Sequence, residues 1–140
     1  MTDPRHPCFL DSEIANAAPD QAGFHVIPVP FERSTSYGSG TAQGPGAILE
    51  ASAQLETWDG QSTPADLGIH TQAAVAVDGD PETVIHRIAA AVASAVALGA
   101  LPVAIGGEHT VTWGVARGLL ESGIGTFGLV QIDAHADLRD

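Results

Sequence analysis

The apolar positions fall into short blocks that switch between a strand-like and a helix-like period. Phe24-His25-Val26-Ile27-Pro28-Val29 is a β-rich run, closed by the prolines at 28 and 30. Residues 34–46 hold four glycines among serines and threonines and read as a long shaped loop. Pro45 suits the first turn of a helix over 47–55, because an amide at that position lacks an intrahelical acceptor anyway. Residues 68–77 read as a second strand, followed by an Asp78-Gly79 turn. Asp80-Pro81-Glu82 then combines a capping acceptor, a first-turn proline and a carboxylate near the positive end of the helix dipole. Val84, Ile85, Ile88, Val92 and Val96 recur at helical spacing, and Gly99 suits a left-handed stop. Residues 101–105 and 128–132 are apolar on both faces, as buried parallel strands are, and 110–121 between them is helical in pattern. Strands alternating with helices predict a three-layer α/β/α fold with a mostly parallel sheet and helices on both faces.

Composition narrows the function more than the fold. The 140 residues carry 17 acidic side chains against 5 arginines and no lysine, a net charge of −12. That sign argues against a nucleic-acid partner, and the missing lysine excludes a Walker-type phosphate loop. Acidity of this size accords with attraction of a cationic substrate, with solubility or with a high-salt habitat. The single cysteine, Cys8, can form no disulfide within the chain. No charged leader precedes an apolar run, and the alanine-rich stretch at 88–101 is shorter than the roughly 20 apolar residues a membrane helix needs. A cytoplasmic protein with no membrane partner is the expectation.

Chemistry concentrates at two strand ends, where ligands of open α/β sheets bind. Ile105-Gly106-Gly107-Glu108-His109-Thr110 places a histidine at a helix start after two glycines. Taken alone, such a glycine pair is most often a tight turn. Asp133-Ala134-His135-Ala136-Asp137 follows the last predicted strand. In extended backbone its three polar side chains project on one side, where two carboxylates and an imidazole repel or stay unpaired unless water or a cation satisfies them. His109, Asp133, His135 and Asp137 are therefore the candidate metal ligands. Glu108 is left as either a support for the His109 ring or a solvated helix-start carboxylate. His6, His25 and His70 have no acidic partner at ligand spacing and read as structural, His86 reads as surface-facing, and Trp58 and Trp113 read as core or interface residues.

Gly-Gly-Glu-His-Thr at 106–110 followed by Asp-Ala-His-Ala-Asp-Leu-Arg-Asp at 133–140 resembles the ureohydrolases, the arginase and agmatinase family. Pro30-Phe31-Glu32, Thr35-Ser36-Tyr37-Gly38, Gly40-Thr41 and Gly44-Pro45 extend the likeness, toward the agmatinase branch, over residues 24–140. The resemblance implies two manganese ions, with His109 on one, His135 on the other, Asp133 bridging and Asp137 beside His109. It further implies water activated by the metal pair, attack on the guanidinium carbon of agmatine, and release of urea and putrescine. Carboxylate oxygens with imidazole suit manganese. The implied partner is a small cationic guanidino compound, and the implied assembly is a homo-oligomer.

The family's two further metal-binding aspartates, in an S-x-D-x-D motif, have no counterpart in this sequence. The family's proton-shuttling histidine is expected after Asp140, and no substrate-binding residue is assigned. Residues 1–22 read as a loosely structured lead-in, and 23–140 as the N-terminal portion of one arginase-like domain, truncated after the D-A-H-x-D motif. Four ligands without the second bridging carboxylate hold a metal pair weakly, so the chain alone is expected to be inactive. Guanidinobutyrase, arginase, formimidoylglutamase and a non-catalytic ureohydrolase-like fragment are the alternatives.

Overall fold

The computed structural model describes residues 7–137. Its elements in chain order are β1 (Phe24–Val29), α1 (Gly44–Ser52), β2 (Ile69–Thr71), α2 (Pro81–Ala97), β3 (Leu101–Gly106) and α3 (Val111–Glu121), with single 3-10 turns at Pro19–Gln21, Thr41–Gln43 and Pro64–Leu67. All strand pairs are parallel and the sheet order is β2-β1-β3. β1 lies central, with Phe24 opposite both Ile69 and Leu101.

Alternation along β1 divides the core in two. Ile27 and Val29 pack with Val84, Ile88 and Val92 of α2 and Val111 of α3. On the opposite face Val26 packs with Leu49 of α1, Ile69 and Leu10. Helices therefore cover both faces of the sheet, as the α/β pattern predicts. The helical stripe of α2 is buried at Val84, Ile85, Ile88 and Val92, joined by Ala89 and Ala95. Its N-cap is Asp80, whose carboxylate accepts from Thr83 N at 3.0 Å. α3 crosses α2 closely enough that a Cβ on Gly114 would lie 2.7 Å from Ile88, and one on Gly118 would lie 2.6 Å from the Ala89 carbonyl oxygen.

Three elements differ from the sequence pattern. β1 spans the expected Phe24–Val29, whereas β2 stops at Thr71 instead of reaching residue 77. Pro28 is the cause. Phe24 N bonds Gly68 O on the β2 side, so by alternation Val26 and then Pro28 face that side, and proline has no donor to continue the ladder. The chain beyond β2 keeps only single bonds to β1, Gln72 N to Val26 O and Val75 N to Pro28 O. Its far end is tied by arginines: Arg33 donates to Val77 O and Gly79 O, and Arg87 to Ala76 O and Asp78 O. Pro102 is harmless in β3, because Leu101 N bonds Gly23 O and the nitrogen of residue 102 faces the open edge.

The second difference is at 128–132, which forms no strand; Leu129, Val130 and Ile132 are exposed. No element among the described residues flanks these side chains, and a strand apolar on both faces needs cover on both. α1 also begins earlier and ends earlier than the predicted 47–55, because the Thr41–Gln43 turn leads directly into it and the Ser52 hydroxyl bonds back to Leu49 O.

Within the lead-in, residues 9–17 are fastened to the body. Leu10 is buried, its amide donates to Ser52 Oγ, and Phe9 N donates to Thr71 Oγ1. Asn16 bonds Thr71 through both ends of its amide. His25, fully buried, sits between Pro19 O at 2.9 Å and the Gln72 amide at 3.1 Å, and His70 meets Ala17 O at 2.8 Å. Both histidines are thus structural, and His86 is exposed beside Glu82. His6 lies outside the described residues. Trp58 and Trp113 are exposed and so are not core residues. No helix among the described residues is long and apolar enough to cross a membrane.

Candidate metal centre

The site begins where β3 ends. Gly107 packs against the chain just after β1 so tightly that a Cβ there would lie 2.2 Å from Phe31 O. Only glycine permits this approach, and it lets Glu108 N bond Phe31 O at 2.9 Å. The junction then turns into α3, presenting His109 at the carboxyl end of the sheet.

His109 Nδ1 lies 2.7 Å from Asp137 Oδ2. One ligand atom each from His109, Asp133 and Asp137 falls within 4.8 Å of the others, and all three residues are exposed. The segment 133–137 is not extended: the Asp133 carboxylate accepts the His135 amide at 2.8 Å, closing a turn, and Asp137 takes a left-handed φ of 52°. Asp tolerates that conformation because its short polar side chain bonds locally. The turn brings Asp133 and Asp137 to His109 and leaves His135 to one side, 82% exposed, with Nδ1 3.5 Å from Asp133 Oδ1. The bond from the His135 amide holds the Asp133 carboxyl below its ordinary range; slight burial opposes this, and the Gln131 amide and the imidazoles of His135 and His109 add to it. Two carboxylates and an imidazole at this separation suit a hard divalent cation such as manganese.

Glu108 is neither a support for the His109 ring nor a solvated carboxylate. It is buried, and it accepts from Arg33 N at 2.6 Å, Ser34 N at 2.7 Å, the Ser34 hydroxyl and Thr110 Oγ1 at 2.9 Å. Burial by itself would raise its pKa, but the Ser34 hydroxyl, the amides of Ser34 and Arg33 and the Thr110 hydroxyl outweigh that and hold it at about 2. A second carboxylate, Glu32, accepts from the amides of Gly40 and Ala42, each at 2.8 Å, and from the Thr41 hydroxyl at 3.0 Å. The role of Glu108 is not legible from spacing, since its Arg33 and Ser34 partners stand 75 and 74 residues away.

A strand-end histidine and an acidic turn at the carboxyl edge of a parallel α/β sheet form a cluster with the donor set for a divalent cation, and the sequence places the chain in a family. The arginase family model matches residues 22–140, and the chain belongs to that family. It is 42% identical over 142 residues to the N(1)-aminopropylagmatine ureohydrolase of Synechocystis sp., covering 94% of this chain and 45% of the relative. The enzyme of the same name from Thermus thermophilus is 36% identical over 122 residues, covering 85% of this chain and 41% of the relative. Among solved structures, the agmatine ureohydrolase of Thermoplasma volcanium superposes with a TM-score of 0.68 at 25% identity, over 78% of this chain and 37% of that one. The chain thus spans less than half the length of these relatives.

Proposed function

We propose that the complete protein hydrolyses a guanidino C–N bond of a cationic amine and releases urea, with agmatine giving putrescine. The observation that carries this reading is the convergence of His109, Asp133 and Asp137 at the end of β3 in a chain of the arginase family. Those three residues, with His135, would hold a manganese pair. Such a pair, when bound, lowers the pKa of water and so supplies a nucleophile near neutral pH.

The chain's own contributions are ligation and attraction. His109 offers an imidazole nitrogen from a junction fixed by Gly107. Asp133 is kept ionised by the His135 amide, ready to meet a cation. A net charge of −12 draws a cationic guanidino amine toward the protein. The leaving amine needs a proton donor, which we place outside residues 7–137. With four candidate ligands among the described residues, the 140-residue chain by itself is expected to release no urea.

A second substrate, N(1)-aminopropylagmatine, is favoured by the names of the relatives at 42% and 36% identity. It carries the same guanidino group on a longer amine. The test is urea release by the full-length gene product with manganese, offered agmatine, N(1)-aminopropylagmatine, guanidinobutyrate and arginine, against a chelated control. Metal-dependent urea from one of the first two is expected. Urea from none of the four rejects the reading and favours a non-catalytic role.

A further inference from the structure

The loop between β1 and α1 faces His109 across a cleft of about 390 Å3 lined by Ser34, Ser36, Tyr37, Thr41 and Thr110. Two carboxylates fix this loop, one at each end. Glu108 takes the amides of residues 33 and 34 and the Ser34 hydroxyl, while Glu32 takes the amides of residues 40 and 42. Between these clamps Thr35 Oγ1 donates to Gly38 O, and Tyr37 at the tip is fully exposed. Glu108 directly precedes His109, and Gly107 is packed on Phe31. The loop and the imidazole are therefore placed by one junction.

A buried carboxylate is expensive unless every lone pair is used, and here all the hydrogen bonds given to Glu108 but one, that from Thr110, come from the loop. Its removal would leave two loop amides without acceptors and free the loop from the strand end. A purely structural role would show as lost stability alone. The shared cleft with His109 gives a sharper consequence.

On the functional reading above, we propose that Glu108 is a positioning residue that holds loop 34–37 as the wall against which the carbon chain and far amine of the guanidino substrate lie. It acts on substrate affinity through the loop and leaves the hydrolytic step to the ligand cluster.

The test uses Glu108→Ala, Glu108→Gln and Ser34→Ala in the full-length gene product, with two readouts. The first is KM and kcat for the better of agmatine and N(1)-aminopropylagmatine. The second is the rate of chymotrypsin cleavage after Tyr37 in the metal-free protein. Glu108→Ala is expected to raise KM about tenfold with kcat within about threefold, and to speed cleavage about tenfold. Glu108→Gln restores both, because its amide oxygen still accepts the two backbone amides and its NH2 donates to hydroxyls that can turn round. A fall in kcat with KM unmoved, or unchanged cleavage, overturns the proposal. Should Glu108→Ala not fold, Ser34→Ala decides: a KM raised about threefold supports the proposal and an unchanged KM overturns it. A wild type that releases no urea rejects the functional reading, and the substrate wall with it; cleavage then still decides whether Glu108 holds the loop.

Discussion

His109 and Asp137 meet at 2.7 Å although one sits in the turn between β3 and α3 and the other lies in an irregular segment with a left-handed backbone. An exposed imidazole–carboxylate contact of this kind adds little stability, so its worth lies in what the pair can bind together. Asp133 beside them completes three ligand atoms within 4.8 Å.

The first prediction follows from that pairing. In the full-length gene product, His109→Ala, Asp133→Ala or Asp137→Ala lowers manganese affinity by at least the roughly 10–100-fold seen when mere supports of ligands are removed. Metal analysis after dialysis against graded manganese reads this directly. Full manganese occupancy in all three variants would remove these residues from the site.

Two glycines predict opposite stability changes. A Cβ on Gly118 meets the Ala89 carbonyl at 2.6 Å and the Val92 side chain at 2.7 Å, so α2 and α3 must separate to admit it. Overpacking of about 1–3 kcal/mol then outweighs the gain of about 1 kcal/mol that alanine brings to a helix. Gly46 in α1 has nothing within 4 Å of such a Cβ, and there the helix gain stands alone. Urea midpoints should fall for Gly118→Ala and rise for Gly46→Ala. A stabilised Gly118→Ala would contradict the close crossing of α2 on α3.

The cap of α2 carries a pH dependence of known sign. The Thr83 hydroxyl, then the Thr83 amide, hold the Asp80 carboxyl below its ordinary value of 3.8. A depressed folded pKa means stability that is present above 3.8 and lost as pH falls through the lower folded value. Asp80→Ala should therefore melt below wild type at pH 7, and the gap should close on acidification below 3.8. A gap that stays constant down to the lowest pH would show that the charge is irrelevant to the cap.

The 140-residue chain expressed by itself should self-associate. Leu101 and Val103 are exposed on β3, whose outer edge is unpaired among the described residues, and Leu129, Val130 and Ile132 are exposed as well. Open apolar edges template pairing with other chains. Sedimentation should show species larger than one chain, with binding of a hydrophobic dye. A monodisperse monomer without dye binding would contradict this.

Local signals were strong where one residue type has one use. The cap, first-turn proline and apolar stripe of α2 are all written between Asp80 and Val96, and the helix forms there because each term acts within a few residues. The parallel order of strands and helices was equally legible, since period and punctuation suffice for it. So was the family to which the motifs belong; of the four candidate ligand positions the fold brings three together, His109, Asp133 and Asp137. What the chain alone left undecided were interactions set by its return through space. Pro28 ends the β2 ladder only because its nitrogen faces that neighbour; the turn at 133–137 replaces an extended run because Asp133 captures the His135 amide. Glu108, open to two readings in sequence, is committed by amides 74 and 75 residues distant. Propensity and periodicity sum over neighbours along the chain, whereas hydrogen bonds and close packing depend on which distant groups the fold brings within about 3 Å.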